Sequence, residues 1–223
     1  MDSYDASLAY LDREVGRLLA ELKRRGVLDH TILIITSDHG EEFGEHRHVG
    51  HSNGLHMDQL GVVLLIRWPS GIPANVRVPV SVSTRQLAPT VLDLLGIDDE
   101  RFPGASLARF WADSPTGSAS VREPPAGRSA PLLSERRSVG NSLLVGNLHY
   151  IAYKDGSDEL FDVCSDPKER SDLSDLPEEK ETIDRLRARL EELLAELDHD
   201  EPPGSAAADD GRPAIPAPQT DRG

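Results

Sequence analysis

Residues 31–40 read Thr-Ile-Leu-Ile-Ile-Thr-Ser-Asp-His-Gly, an apolar run that passes directly into a carboxylate, an imidazole and a glycine. The unbroken row predicts a strand, Thr31 to Thr36, covered on both faces. Open α/β sheets bind ligands outside the carboxyl ends of their strands. Asp38 and His39 stand at such an end, and a carboxylate with an imidazole suits a divalent cation. Gly40 makes a sharp bend inexpensive, although Asp and Gly are also common in ordinary turns.

Histidines crowd the segment that follows this strand. Of eight in the chain, five fall within 18 residues: His39, His46, His48, His51 and His56. Packing alone does not explain such clustering, which favours a metal or catalytic site. For His46 and His48 we nevertheless expect solvated loop positions.

An amphipathic helix precedes the strand, because apolar residues recur at helical spacing from Leu8 to Leu22 and Gly26 supplies a stop. Burying six such side chains on a sheet would contribute about 10 kcal/mol before ordering entropy is subtracted. Three further elements are expected beyond the histidines: a strand over 62–66, a short strand over 76–82, and a helix over 87–95 that stops at Gly96. Helix, strand, long loop, strand and helix predict an α/β sheet.

The domain organisation follows from shifts in composition. Residues 1–112 form the α/β part, and 113–131, rich in Ser, Pro, Gly and Ala, form a loop or linker. Residues 132–200 predict a small antiparallel sheet, with strands over 132–136, 142–148 and 149–154, and an amphipathic helix that starts near Pro177. The tail, 201–223, has few apolar residues and is expected to be disordered.

Composition excludes several classes of protein. The net charge of −15 argues against nucleic-acid binding, which needs a basic face. Cys164 is the only cysteine, so no internal disulfide framework can form. No apolar run approaches the roughly 20 residues of a membrane span. We expect no signal peptide at Met1, which means a cytoplasmic protein if Met1 is the true start and otherwise leaves the compartment open.

The spaced motifs together resemble the sulfatase family of the alkaline phosphatase superfamily. The segment from Thr36 to His46, followed by Gly50-His51 and by 62–69, resembles the family's metal-binding segment. Ala88-Pro89-Thr90 and the stretch from Glu159 to Glu169 match the same family in the same order. The resemblance covers residues 4–197. It implies part of an alkaline-phosphatase-like mixed sheet flanked by helices, then a small antiparallel sheet with a C-terminal helix.

The resemblance also implies roles for three residues. Asp38 and His39 match the family's metal ligands, for a divalent ion that is calcium foremost, with manganese, magnesium or zinc as alternatives. His51 matches the position of a Lys or His that contacts the sulfate or the leaving-group oxygen. There it could act as a cation or as a proton donor.

Three departures limit what the resemblance implies. The family nucleophile, a formylglycine made in a Cys/Ser-x-Pro-x-Arg motif, has no counterpart, and the opening strand with the remaining acidic ligands is also missing. We therefore expect a fragment, inactive alone, whose partner is the missing N-terminal half of the catalytic domain. Gln86 stands where many relatives have Asp, which questions only a helix start.

Three functions remain open at this point. The first is hydrolysis of a small-molecule or saccharide sulfate ester by the completed enzyme. The second is phosphodiester or phosphonate hydrolysis, or phosphoglycerol transfer, on the same scaffold, which His39 in place of the common Asn allows. The third is a non-catalytic metal-binding or interaction module.

Overall fold

The computed structural model describes residues 2–51, 54–98, 101–102, 104–111 and 130–200. The helices in these ranges are α1 (Asp2–Arg24), α2 (Met57–Leu60), α3 (Leu87–Leu94) and α4 (Lys180–Asp200). The strands are β1 (Leu33–Thr36), β2 (Glu42–Phe43), β3 (Val49–Gly50), β4 (Leu64–Arg67), β5 (Leu132–Arg136), β6 (Gly140–Val145), β7 (Leu148–Tyr153) and β8 (Asp158–Asp162). None of the helices in the described ranges has the length and apolarity needed to cross a bilayer.

β1 forms a two-stranded antiparallel sheet with β4, in which Leu33 lies opposite Arg67 and Thr36 opposite Leu64. The strand predicted from the opening sequence is therefore confirmed over its last four residues. Its expected burial on both faces is wrong for the described residues, because β1 is only half-buried and Leu65 of β4 is 57% exposed. An apolar run establishes the strand but not the layers that cover it.

α1 is a helix of 23 residues, as its periodicity predicts, and the chain turns at Gly26 with a φ of +71°. The expected burial of its apolar stripe is wrong: Leu8, Leu11 and Leu18 are all about half exposed or more. At its N-terminal end, the ring of Tyr4 packs edge-on against Phe43, with centroids 4.8 Å apart. The stripe thus remains largely open in the described structure.

The segment between β1 and β4 is folded. β2 and β3 form a short hairpin in which Glu42 lies opposite Gly50, and α2 follows. Gly40 lies against α2: its amide donates to the Gln59 carbonyl at 2.7 Å, and a Cβ there would lie 2.0 Å from the Asp58 carbonyl oxygen. Gly40 is needed for this close approach; it is not among the positive-φ glycines that would mark the predicted bend.

α3 begins and ends as the sequence predicts. Ser83 and Gln86 form a reciprocal capping box before it, which answers the question that Gln86 raised, and Gly96 closes the helix with a φ of +67°. The buried Thr90 hydroxyl accepts the Leu107 amide at 2.8 Å, so α3 holds the turn at Leu107–Phe110. The short strand predicted over 76–82 is wrong, because this extended stretch has no strand partner in the described residues.

The predicted antiparallel sheet is present in the order β5-β6-β7-β8. The sequence did not predict its fourth strand, β8, which pairs antiparallel with β7 and contains Glu159 to Asp162 of the family motif. One face carries Leu143, Tyr150 and Leu160 against Ile183, Leu186 and Leu190 of α4. The opposite face carries Ile151 and Phe161 against Leu55, from the histidine-rich segment. The sheet therefore lies between α4 and the segment that bears the candidate site.

The remaining expectations concern residues that the structure does not describe. The predicted linker, 113–131, lies outside the described residues except for 130–131, and so does the predicted tail, 201–223.

Candidate functional site: two imidazole–carboxylate clusters

The two candidate metal ligands lie together where β1 ends. The Asp38 side chain is 90% exposed, and its Oδ2 lies 3.8 Å from His39 Nε2. His39 Nδ1 lies 2.8 Å from the Gly40 carbonyl. Because a carbonyl only accepts, Nδ1 carries the proton and Nε2 keeps its lone pair. A carboxylate oxygen beside a free imidazole nitrogen, with the other ring nitrogen bound to a carbonyl, fits a divalent ion.

His51 lies beside His39. Their rings stack with centroids 4.2 Å apart and an interplanar angle of 26°. His51 Nδ1 donates to Glu41 Oε2 at 3.1 Å, which holds the ring and leaves Nε2 turned away from that carboxylate. The structure thus brings together all three site residues that the sequence analysis singled out. Glu41 joins them as an unforeseen partner.

A second cluster is built around Glu42, which is fully buried. Its Oε2 accepts the Gln59 side-chain amide at 2.5 Å. Its Oε1 faces two imidazoles: His46 Nδ1 at 3.1 Å and His56 Nδ1 at 4.0 Å. These three side chains offer ligand atoms that all lie within 4.8 Å of one another.

The two imidazole rings of this cluster are stacked, and each is fixed by a hydrogen bond from its Nε2. Their ring centroids are 3.6 Å apart, with planes within 4° of parallel. His46 Nε2 donates to the Glu169 carbonyl at 3.0 Å, and His56 Nε2 donates to Glu159 Oε2, also at 3.0 Å. Both Nδ1 atoms are consequently turned toward Glu42.

Solvated positions were expected for His46 and His48. For His46 this is wrong, since its side chain is only 14% exposed and bonded at both nitrogens. For His48, which is exposed, it is confirmed. No sequence pattern could have indicated the burial of His46, because its partner Glu169 lies 123 residues away.

The backbone and the ionisable groups around this cluster are unusual. His46 and Arg47 are consecutive non-glycine residues in the left-handed region, with φ of 48° and 62°. Burial lowers the pKa of His46, but hydrogen bonds to the Glu169 carbonyl and to Glu42 outweigh it and leave the pKa raised. Burial raises the pKa of Asp58, which faces several carboxylates. For Glu159, hydrogen bonds from His56 and Tyr153 outweigh burial and lower the pKa.

Comparison with known proteins decides the family. The sulfatase family model matches residues 1–97. Arylsulfatase K of Mus musculus is 33% identical over 192 residues, which cover 82% of this chain and 34% of that protein. Choline-sulfatase of Rhizobium meliloti is 29% identical over 180 residues, which cover 78% of this chain and 33% of that protein. The chain belongs to the sulfatase family.

Solved structures place this sulfatase chain in the alkaline-phosphatase-like fold, with its small antiparallel sheet and C-terminal helix. A protein solved in complex with its substrate D-glucosamine-2-N,6-O-disulfate superposes with a TM-score of 0.70 at 24% identity, covering 87% of this chain and 40% of that one. The phosphonate monoester hydrolase of Agrobacterium radiobacter superposes with a TM-score of 0.68 at 25% identity, covering 84% and 40%. The predicted fold class is confirmed.

The sulfatase chain spans about a third of the length of the curated relatives it matches. Within that third, the described residues contain one cluster that sequence reasoning anticipated, around Asp38, and one that it did not, around Glu42. The available signal for the second was the density of histidines. That density includes His46 and His56 but does not predict that their rings stack on each other.

Proposed function

We propose that this chain carries the metal-contacting and leaving-group-contacting part of a sulfate ester hydrolase. The observation that carries the proposal is the convergence at the end of β1, where Asp38 Oδ2 and His39 Nε2 lie 3.8 Å apart and the His51 ring stacks on His39. Asp38 and His39 would hold a divalent ion, calcium foremost, which as a Lewis acid would polarise the sulfate oxygens. The substrate class is a small-molecule or saccharide sulfate ester.

His51 is proposed as the proton donor to the departing oxygen. Its Nδ1–H is held by Glu41, so Nε2 is the atom available to a substrate. A donor positioned in this way contributes roughly 10²- to 10⁴-fold to a rate. Glu41 fixes the orientation of the ring through this hydrogen bond.

The remaining ligands and the nucleophile are proposed to come from a further sulfatase segment, since none of the 223 residues forms a Cys/Ser-x-Pro-x-Arg motif. The open apolar stripe of α1, with Leu8, Leu11 and Leu18, supports this, because such a stripe gains stability when another layer covers it. This chain by itself is proposed to be inactive.

Phosphonate or phosphodiester hydrolysis, or phosphoglycerol transfer, is the second candidate. The likeness to a phosphonate monoester hydrolase, together with an imidazole at position 39, favours it. A purely metal-binding or interaction module is the remaining alternative, which turnover by the completed protein would exclude.

The test joins this chain to a sulfatase segment that bears Cys-x-Pro-x-Arg, and measures hydrolysis of 4-nitrophenyl sulfate and of a phenyl phosphonate ester with calcium, magnesium or manganese. We expect faster sulfate turnover, which Asp38→Ala or His39→Ala abolishes. His48→Ala, in an exposed side chain of the same segment, is the matched control and leaves the rate unchanged. Full activity in the Asp38 variant would refute the ligand assignment, and preference for the phosphonate would select the second candidate.

A further inference from the structure

The Glu42 cluster contains two buried polar atoms that lack hydrogen-bond partners. These are His56 Nδ1 and Asp58 Oδ2. The His56 side chain is 93% buried, as its 7% exposure shows, and its Nδ1 points toward Glu42 Oε1 at 4.0 Å. An unsatisfied buried polar atom is destabilising, so its persistence calls for a ligand or another compensation.

The hydrogen bonds around His56 leave a free lone pair on its Nδ1 atom. Its Nε2 faces the Glu159 carboxylate, which can only accept hydrogen bonds. The same carboxylate also accepts a hydrogen bond from the Tyr153 hydroxyl at 2.7 Å. Nε2 must therefore carry the proton, and Nδ1 of the neutral ring carries a lone pair and no hydrogen. It lies beside a carboxylate oxygen, an arrangement that repels both unless a proton or a cation lies between them.

His46 differs at this atom, because its Nδ1 already forms a hydrogen bond with Glu42 Oε1, in which an ion would replace the proton. Its Nε2 is bound to the Glu169 carbonyl, and its Nδ1 lies 3.1 Å from Glu42 Oε1 and 3.9 Å from Asp58 Oδ2. Histidines that ligate metals donate their second ring N–H to a carboxylate or a backbone carbonyl, which orients the ring and makes the ligating nitrogen more basic. Both imidazoles meet this description, one with each type of acceptor.

We infer that Glu42, His46 and His56, with Asp58 as a fourth ligand, form a second metal site for a Zn²⁺-type ion, separate from Asp38 and His39. Two imidazole nitrogens and two carboxylate oxygens suit zinc-like transition ions better than calcium, which prefers six to eight oxygens. In a tetrahedral zinc site, ligand atoms stand about 3.4 Å apart. The spacings of 3.1, 3.9 and 4.0 Å lie on both sides of that value.

Access to the cluster supports the inference. A cavity of about 260 Å³ adjoins the cluster and gives an ion a way in, and its lining residues are His46, Arg47, His48, His56, Tyr153 and Glu159. The left-handed backbone at His46 and Arg47 costs free energy and holds the first imidazole at this position. Because the two rings are parallel, they cannot both aim an in-plane lone pair at one point, and the proposal therefore requires the rings to turn apart when an ion binds.

The site would be structural. Glu42 is fully buried, and His46 and His56 tie the histidine-rich segment to Glu169 and Glu159 of the small-sheet region. An ion bound there would join the two parts of the chain, and binding only to the folded form would raise its stability.

The test uses the full 223-residue chain, freed of metal by a chelator, titrated calorimetrically with ZnCl₂ or CaCl₂ alone. We expect one Zn²⁺ per chain, no competing Ca²⁺, and a rise in melting temperature with Zn²⁺. His46→Gln and His56→Gln each keep a donor near the Nε2 position and remove Nδ1, so each should weaken Zn²⁺ binding by roughly 10-fold or more. His30→Gln, on an exposed histidine outside the cluster and its cavity, and Asp38→Ala, at the other site, should bind Zn²⁺ as the unaltered chain does.

Absence of Zn²⁺ binding by the unaltered chain would overturn the inference and leave a buried hydrogen-bonded ion pair. So would loss of binding in Asp38→Ala with retention in His56→Gln. Should a variant fail to fold by circular dichroism, X-ray absorption of the Zn²⁺-loaded unaltered chain decides: two imidazole ligands support the site, and fewer overturn it. None of these measurements depends on hydrolytic activity, so failure here is distinguishable from failure of the proposed function.

Discussion

Glu41 and Glu42 are adjacent in sequence, yet their carboxylates serve different histidine clusters. Glu41 Oε2 accepts from His51 at 3.1 Å, while Glu42 Oε1 faces His46 at the same distance. Neighbouring side chains of an extended chain point to opposite sides, and this segment leads into β2. A single extended step therefore separates the exposed cluster at His51 from the buried one at Glu42.

The exposed cluster gives the first prediction. In the completed enzyme, Glu41→Gln should lower kcat by about 10-fold, because an amide oxygen accepts a weaker hydrogen bond from His51 Nδ1 than a carboxylate does and therefore holds the ring less firmly. His51→Ala should cost more, about 10²-fold or above. Steady-state kinetics on phenyl sulfate, whose phenolate leaves poorly without a proton, measure both, with His48→Ala as the control. An unchanged kcat in Glu41→Gln would remove Glu41 from the site.

The buried pair Glu169–His149 gives the second prediction. Both side chains are 1% exposed, and they share a short hydrogen bond between Glu169 Oε1 and His149 Nδ1, while Oε2 accepts the Met57 amide at 2.6 Å. Glu169→Gln removes one partner of a buried pair, so we expect the free energy of unfolding to fall by about 3 kcal/mol. Urea unfolding followed by circular dichroism measures it. Glu178→Gln, at an exposed glutamate, should change it by less than about 0.5 kcal/mol.

Two leucines on two amphipathic helices give the third prediction. Leu186 of α4 is 4% exposed and Leu18 of α1 is 54% exposed, although both belong to apolar stripes with helical spacing. Leu186→Ala should lower the free energy of unfolding of this chain by about 3 kcal/mol through a cavity, and Leu18→Ala by less than about 0.5 kcal/mol. Equal losses would mean that α1 is packed in solution in a way that the structure does not show.

Tyr150 gives a prediction about pH. Burial, with the hydrogen bond from its hydroxyl to Asp158 at 2.8 Å, raises the pKa of Tyr150 to about 12. The folded chain therefore holds this proton more tightly than the unfolded chain, whose tyrosines titrate near pH 10. This stabilisation is complete below about pH 10 and is lost as the pH rises toward 12.

Urea unfolding at pH 9 and pH 11 measures this loss. In Tyr150→Phe the decline of the free energy of unfolding between the two pH values should become smaller, at the cost of about 1 kcal/mol at neutral pH for the missing hydrogen bond. Tyr10→Phe, at an exposed tyrosine of α1, is the control and should keep the original decline. An undiminished decline in Tyr150→Phe would contradict the assignment.

The sequence by itself determined the elements whose signals are local. The periodicity of α3 and α4 and the β5 strand depend on neighbours a few residues away, and these elements lie within a few residues of their predicted ranges. β6 and β7 begin two residues and one residue earlier than predicted, because the chain turns at Gly146. The neighbouring positions of Asp38 and His39 also follow from local sequence, since both come directly after one strand.

Only the tertiary structure decided which side chains are buried and which histidines meet. The stripes of α1 and α4 look alike in sequence, but burial depends on what packs against them, which no local pattern encodes. His46 and His56 are oriented by hydrogen bonds to Glu169 and Glu159, which lie 123 and 103 residues further along the chain. Hydrogen bonds over such separations form only once the small sheet and the histidine-rich segment have folded against each other.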